Sequence, residues 1–395
     1  MIGISKLYCG TVESSDVLRY GARSNALPSH LLQFSRDKKP VVVWNVGQRC
    51  NLRCVHCYAH SRDLEYTGEL THEEGRRLLD DLAAFGAPVM LFSGGEPLMR
   101  PDILALIRHA RERGMRAVIS TNGTLITAEL AEKLKEFGLS YVGISLDGLE
   151  ETNDHFRGMK GAFRMALEGI RNCQAAGIKV GLRFTMNRRN VQDLHGIFDL
   201  LHAERIPRIC FYHLVYAGRG TKLVKDALTG AESRAAVDLI MDRTAQLHRD
   251  GFPAEVLTVD NHCDGPYLYL RLLRENPARA GEALCLLRMN GGNSSGIGIG
   301  CVSWDGEVYA DQFWRHYSLG NVRRRPFSAI WQDRSDPVLD GLKDRKKKLH
   351  GRCAACQYLD ICNGNFRVRA EAVTGDIWAP DPACYLTDAE IGLEE

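Results

Sequence analysis

No stretch of this sequence approaches the ~20 uninterrupted apolar residues that a membrane-spanning helix requires. The opening M-I-G-I-S-K-L-Y-C-G has no apolar run of signal-peptide length either. An excess of charge is equally lacking. There are 51 Lys and Arg against 49 Asp and Glu, a net of +2, so no overall field recruits nucleic acid or an anionic membrane. The expectation is a soluble cytoplasmic protein with no nucleic-acid or membrane partner, in which any anionic ligand is met locally.

What is present is ordinary globular composition, 45% hydrophobic and 25% charged over 395 residues, enough for one large domain and a smaller one. The 13 cysteines would suggest disulfides in a small secreted chain, and this chain reads as neither small nor exported. In a reducing compartment, clustered cysteines bind metal. Two clusters stand out, Cys50/Cys54/Cys57 and Cys353/Cys356/Cys362/Cys384. Cys9, Cys173, Cys210, Cys263, Cys285 and Cys301 are scattered, and most of them read as small buried hydrophobes.

From residue 41, short β-branched runs alternate with longer amphipathic ones, the pattern of βα units and a parallel sheet. Strands are expected at 41–46, 88–93, 116–121, 141–146, 179–185, 208–215 and 254–259. Their solid hydrophobicity suits strands covered on both faces. Thr71 with Glu74 forms a capping box, Pro101 sits at a first helical turn, and Gly114, Gly138 and Gly177 stand where helices stop. Right-handed crossovers wind such units into an α/β partial barrel, (β/α)6 in character, whose ligands bind at the C-terminal strand ends. After about residue 280 come a Gly-rich stretch, a hairpin candidate at 304–307 and a basic run at Arg345–Lys348, whose lysines read as a solvated helix face. The expected division is an N-terminal extension (1–40) wrapping the barrel or covering its mouth, the barrel (41–280) and a separate C-terminal module (281–395).

C-N-L-R-C-V-H-C follows the first strand, so Cys50, Cys54 and Cys57 share one loop at the barrel rim. Three thiolates can ligate three irons of a cubane and leave the fourth open, as catalytic metal sites keep an open position. A zinc ion with His56 or His60 as fourth ligand is the alternative, although C-x3-C-x2-C differs from the paired C-x2-C of most zinc modules. S-G-G-E-P (93–97) ends the second strand, and its glycines allow close backbone approach. S-T-N-G-T (120–124) and S-L-D-G (145–148) end the next strands as polar-glycine termini, a pattern that helix caps and tight turns also favour.

The cysteine triad after the first strand of a βα array, with S-G-G-E-P one strand later, resembles the radical S-adenosylmethionine (SAM) superfamily. The resemblance implies a 4Fe-4S cluster on Cys50, Cys54 and Cys57 that cleaves SAM to a 5'-deoxyadenosyl radical. It also implies a SAM site formed by Gly94, Gly95, Glu96 and Pro97, with Glu96 receiving the methionine amino group. Asn122 joins this site, and Ser145 and Asp147 would lie near the ribose and substrate. Thr185 and Asn187 are weaker candidates of the same kind.

C-x2-C-x5-C at Cys353, Cys356 and Cys362, with Cys384 beyond, resembles the SPASM/twitch extension of these enzymes, which carries auxiliary 4Fe-4S clusters. The sequence departs from the two-cluster pattern. Phe366 and Asp311 stand where further cysteines are expected, so one fully ligated auxiliary cluster is implied, serving electron transfer or structure. Tetrahedral zinc on the same four sulfurs is the rival. Cys301 stays outside the ligand set.

The segments at 4–12, 40–46, 296–314 and 362–370 resemble the haem-biosynthetic branch of the twitch enzymes. The resemblance implies an iron-tetrapyrrole substrate and a low-potential donor such as ferredoxin or flavodoxin. The implied reaction removes two acetate arms from 12,18-didecarboxysiroheme to give iron-coproporphyrin III. Sister reactions on propionates (haem b synthase or haem d1 chemistry), peptide maturation and simple electron carriage are the competing readings. Arg183, Arg219 and Arg315 are candidates for substrate carboxylates. Tyr212, Phe313 and Trp314 are candidates for stacking, and His213 or His316 for the substrate iron.

Overall fold

The computed structural model describes residues 1–12, 16–20 and 39–393. All seven expected strands form: β2 (Val41–Asn45), β3 (Val89–Ser93), β4 (Arg116–Thr121), β5 (Tyr141–Ser145), β6 (Val180–Met186), β7 (Arg208–His213) and β8 (Glu255–Val259). They pair in parallel in chain order, the arrangement that right-handed βα crossovers produce. The helix His72–Phe85 starts at the predicted capping box, with Thr71 Oγ1 accepting from Glu74 N and Glu74 Oε2 accepting from Thr71 N at 2.8 Å. Gly114, Gly138 and Gly177 follow their helices at positive φ, where a side chain would be strained.

The outward faces of the strands build the core against the helices: Val42, Trp44, Met90, Phe92, Ile119, Val142, Leu182, Phe184 and Phe211 are all buried. The inward faces carry Tyr141, Arg183, Arg208, Tyr212 and Glu255, and the two faces alternate more than the sequence suggested. Glu255 closes the barrel floor, buried and paired with Arg19 (2.8 Å), Arg208 (3.3 Å) and Lys179 (3.6 Å).

The barrel stays open. β1 (Ile2–Gly3) pairs antiparallel with β8, and β9 (Ile299–Val302) pairs parallel with β2. β10 (Glu307–Tyr309) and β11 (Gly320–Asn321) extend the second edge into one mixed 11-stranded sheet. β9 and β10 form the hairpin read at 304–307. The C-terminal module, expected to stand apart, therefore shares its sheet with the barrel. Backbone hydrogen bonding drives this, because an unpaired β2 edge would leave donors and acceptors unsatisfied.

The described part of the N-terminal extension lines the β8 edge and the floor rather than covering the mouth. Gly3 N donates to Tyr20 Oη (3.0 Å), and Arg19 reaches Glu255. Lys346, Lys347 and Lys348 are exposed as expected, on a single 3-10 turn, whereas Arg345 is buried and donates to Asn293 Oδ1 (2.6 Å). Among the described residues no helix is long and apolar enough to cross a membrane.

Candidate functional site

Cys50, Cys54 and Cys57 line one cavity at the C-terminal mouth of the barrel, together with Gly94, Gly95, Asn122 and Ser145. The cysteine loop is held from three sides. Arg53 N and Val55 N donate to the carbonyls of Arg157 and Phe156 (3.2 and 2.9 Å). Arg219 donates to Cys54 O (2.7 Å) and Ser61 O (2.9 Å). Gly95 N and Glu96 N donate to Gly47 O and Arg49 O, both at 2.8 Å.

That third contact revises the role of the glycines. A Cβ on Gly95 would lie 2.2 Å from Arg49 O, and one on Gly94 2.4 Å from Gly47 O. Their missing side chains admit the cysteine loop itself, so S-G-G-E-P is first of all the seat of that loop. Glu96 does not line the cavity. Its carboxylate accepts from Thr121 Oγ1 (2.7 Å), Asn122 N (2.9 Å) and Leu98 N (3.1 Å), and burial pushes it up. Pro97 is buried at the start of the short turn that Glu96 caps.

Asp147 is likewise set behind the wall. It accepts from Thr185 N (2.8 Å), pairs with Arg157, and meets His56 Nε2 at 3.1 Å. Burial opposes its charge, but Arg157 and His56 together hold its carboxyl well below the usual range. Ser145 and Thr185 line the cavity, whereas Asn187 is turned into its own loop, donating to Thr185 O at 3.2 Å.

The thiols receive N–H donors suited to metal-bound sulfur. Leu52 N lies 3.4 Å from Cys50 Sγ, Asn122 Nδ2 3.9 Å from the same atom, and Arg157 Nη1 3.6 Å from Cys54 Sγ. His56 Nδ1 and Arg219 Nη2 are buried beside them with no hydrogen-bond partner among the described residues. Burial pushes the Cys50 thiol up to about 12, so only a bound metal would keep it as thiolate at neutral pH. Among the described residues no three His, Cys, Asp or Glu side chains converge closely enough for one ion.

Cys353, Cys356, Cys362 and Cys384 are brought together across residues 351–384, close enough that neighbouring thiols raise Cys362 further after burial has done so. Tyr358 N donates to Cys356 Sγ at 3.4 Å. Cys384 sits on a turn organised by Asp381, which is fully buried and doubly bonded by Arg369 at 2.8 Å. Arg369 also donates to Leu214 O (3.2 Å) and Asp260 O (2.9 Å), tying this group to the cavity rim. Cys263, read as apolar filler, is buried beside this group, where its thiol donates to Ala383 O at 3.8 Å and its proximity lowers the Cys384 thiol. At the positions of the missing cysteines, Phe366 packs on Phe313 (5.6 Å between centroids) and Asp311 accepts from Phe313 N (2.8 Å).

Of the substrate candidates, Arg183, Arg219, Tyr212, Phe313 and His213 line the cavity. Trp314 is core, and Arg315 stacks on Trp304 at 4.0 Å. His316 is exposed and paired with Glu371 at 2.8 Å, and His213 Nε2 is engaged by Asp264 at 2.9 Å. Sequence reasoning passed over Arg157, Tyr58 and Asp260, which also line the cavity. Tyr58 directly follows the triad, a signal that was available. Asp260 had only its place at a strand end, and Arg157 had no signal.

Comparison with known proteins agrees with this geometry. Residues 44–201 match the model of the radical SAM superfamily, and residues 299–357 match an iron-sulfur cluster-binding domain, SPASM. The chain is 71% identical to Fe-coproporphyrin III synthase of Methanosarcina barkeri, covering 100% of both chains. It is 43% identical to pre-heme d1 synthase of Dinoroseobacter shibae, over 90% of this chain and 88% of that one. In fold it is similar to Streptococcus suis SuiB bound to the precursor peptide SuiA, with a TM-score of 0.71 at 18% identity, over 88% of this chain and 76% of that one. The open parallel barrel, the thiol-lined mouth and these relatives place the chain in the radical SAM superfamily, as a radical SAM enzyme with a C-terminal SPASM domain.

Proposed function

We propose that this enzyme removes two acetate side chains from 12,18-didecarboxysiroheme to give iron-coproporphyrin III in siroheme-dependent haem biosynthesis. The observation that carries the reading is the full-length 71% identity to Fe-coproporphyrin III synthase. Cys50, Cys54 and Cys57 would hold a 4Fe-4S cluster that receives SAM, and Cys353, Cys356, Cys362 and Cys384 would hold a second one. When bound and reduced by a ferredoxin or flavodoxin, the first cluster would supply the one-electron chemistry that cleaves SAM and so opens hydrogen abstraction at an acetate methylene.

The chain's own residues orient and shield. Gly94 and Gly95 seat the cysteine loop, while Ser145 and Asn122 line the mouth where SAM binds. Leu52, Leu91, Val215 and Phe313 give that mouth an apolar wall that keeps water from a reactive intermediate. Asp260, pushed up to about 7 by burial, is only partly ionised at neutral pH beside the substrate space. Residues 41–280 act as the catalytic barrel and 281–395 as the auxiliary-cluster module, in the cytoplasm.

The test is anaerobic incubation of the reconstituted protein with SAM, dithionite and 12,18-didecarboxysiroheme, read by mass spectrometry. Loss of both acetate arms together with 5'-deoxyadenosine is expected. Deoxyadenosine with intact acetates would overturn the substrate and direct the search to propionate chemistry.

A further inference from the structure

Among the described residues three arginines line the cavity, Arg157, Arg183 and Arg219. Arg157 is committed to Asp147 and Cys54, and Arg219 to the carbonyls of Cys54 and Ser61. Arg183 differs from both. Among the described residues its guanidinium has neither a hydrogen-bond acceptor nor a carboxylate partner, and its contact is the ring of Tyr212, 4.6 Å from guanidinium carbon to centroid.

The neighbouring strands are shaped around this side chain. Arg183 is in register with Ser145 on β5 and Cys210 on β7, and all three face into the barrel. Gly143, two residues before Ser145, provides the space for the stem, since a Cβ there would approach Arg183 Cδ to 3.1 Å. Tyr212 supplies a flat face that holds the guanidinium plane without using its N–H groups. The outcome is a charged, planar donor fork, fixed in direction and opening into the cavity.

A guanidinium enclosed this way cannot lose its proton, and without an anion it forgoes the pairing that normally offsets its desolvation. The one carboxyl lining the cavity among the described residues, Asp260, does not supply a full negative charge at neutral pH, because burial pushes it up to about 7. The cavity therefore keeps an unmet demand for an anion on its β6 side. A carboxylate meets that demand best, since its two oxygens match the fork.

We propose that Arg183, stacked on Tyr212, takes a carboxylate of the tetrapyrrole and so fixes which edge of the macrocycle faces the cysteine triad. This rests on the tetrapyrrole reading above and adds the residue that orients the ring. Because the enzyme treats two side chains of one macrocycle, a single anchor on the wall implies that the ring is released and reseated between the two events.

The experiment titrates reconstituted holoenzyme with iron-coproporphyrin III and, separately, with its tetramethyl ester, following the tetrapyrrole absorbance. Wild type, Arg183→Gln and Arg183→Lys are compared, and the SAM dissociation constant of each is measured alongside. Arg183→Gln should weaken the free acid about ten- to hundredfold, the range for a charge-assisted bond, and leave the ester unaffected. Arg183→Lys should recover part of the loss, which a misfolded variant would not. Equal weakening of acid and ester would overturn the proposal, reducing Arg183 to a piece of wall. Weakened SAM binding with unchanged tetrapyrrole binding would also overturn it, by giving the carboxylate to SAM. Failure of the wild type to bind either tetrapyrrole would refute the substrate reading itself, a result distinct from both.

Discussion

Arg157 Nη1 lies 3.6 Å from Cys54 Sγ, while its other terminal nitrogen pairs with the buried carboxylate of Asp147. One guanidinium thus links a rim carboxylate to a thiol of the first cysteine group. His56, two residues beyond Cys54, reaches the same Asp147, so the carboxylate fixes the loop from both sides.

Replacing Arg157 by Gln leaves Asp147 buried without its main partner, a change that costs about 3–5 kcal/mol. We expect a clear fall in melting temperature. In protein that still assembles its cluster, the reduction potential should be lower, since a donor to the sulfur is lost. An EPR-monitored redox titration reads that shift, and an unchanged potential would remove Arg157 from any tuning role.

Gly95→Ala places a methyl 2.2 Å from Arg49 O, so either the cysteine loop or the end of β3 must move. The first cluster should be lost while the second survives, leaving roughly half the iron and sulfide of the wild type after reconstitution. Full iron content in this variant would contradict the glycines' role as the seat of the loop.

Asp260 gives a pH signature. Its folded pKa of about 7 lies above the unfolded value near 3.9, so the folded state binds the proton more tightly. Stability from this group is fully present below about pH 4 and is lost as pH rises through about 7. Asp260→Asn keeps the positive φ of 64°, which Asn tolerates. The variant should flatten the decline between pH 4 and 8 and gain on the order of 2–4 kcal/mol over wild type at pH 8. Denaturant midpoints across that range check it.

The second cysteine group is tested by a triple serine variant at Cys353, Cys356 and Cys362. It should lose about half the iron and the corresponding sulfide, whereas a zinc site would lose zinc and no sulfide. A folded, fully active variant would rule out an electron-transfer role for that cluster.

Much of this was legible in order along the chain. All seven barrel strands, the capping box at Thr71 and the helix-stopping glycines are local signals, and local sterics and hydrogen bonding produce them directly. The cysteine triad and S-G-G-E-P were legible for the same reason, each lying within a few residues of a strand end. The parallel pairing of β9 with β2 was not legible, because it joins residues more than 250 positions apart and β9 is four residues long.

The sequence by itself determined the chemistry available: two cysteine groups, a βα array to carry the first, and arginines in number. Tertiary structure decided which of these face one another. It set Glu96 and Asp147 behind the cavity wall as braces, committed Arg219 to backbone carbonyls and Arg157 to Asp147, and left Arg183 open to the cavity. The physical reason is that a side chain's role depends on which partners satisfy it. Those partners come from strands adjacent in the sheet but distant in the chain.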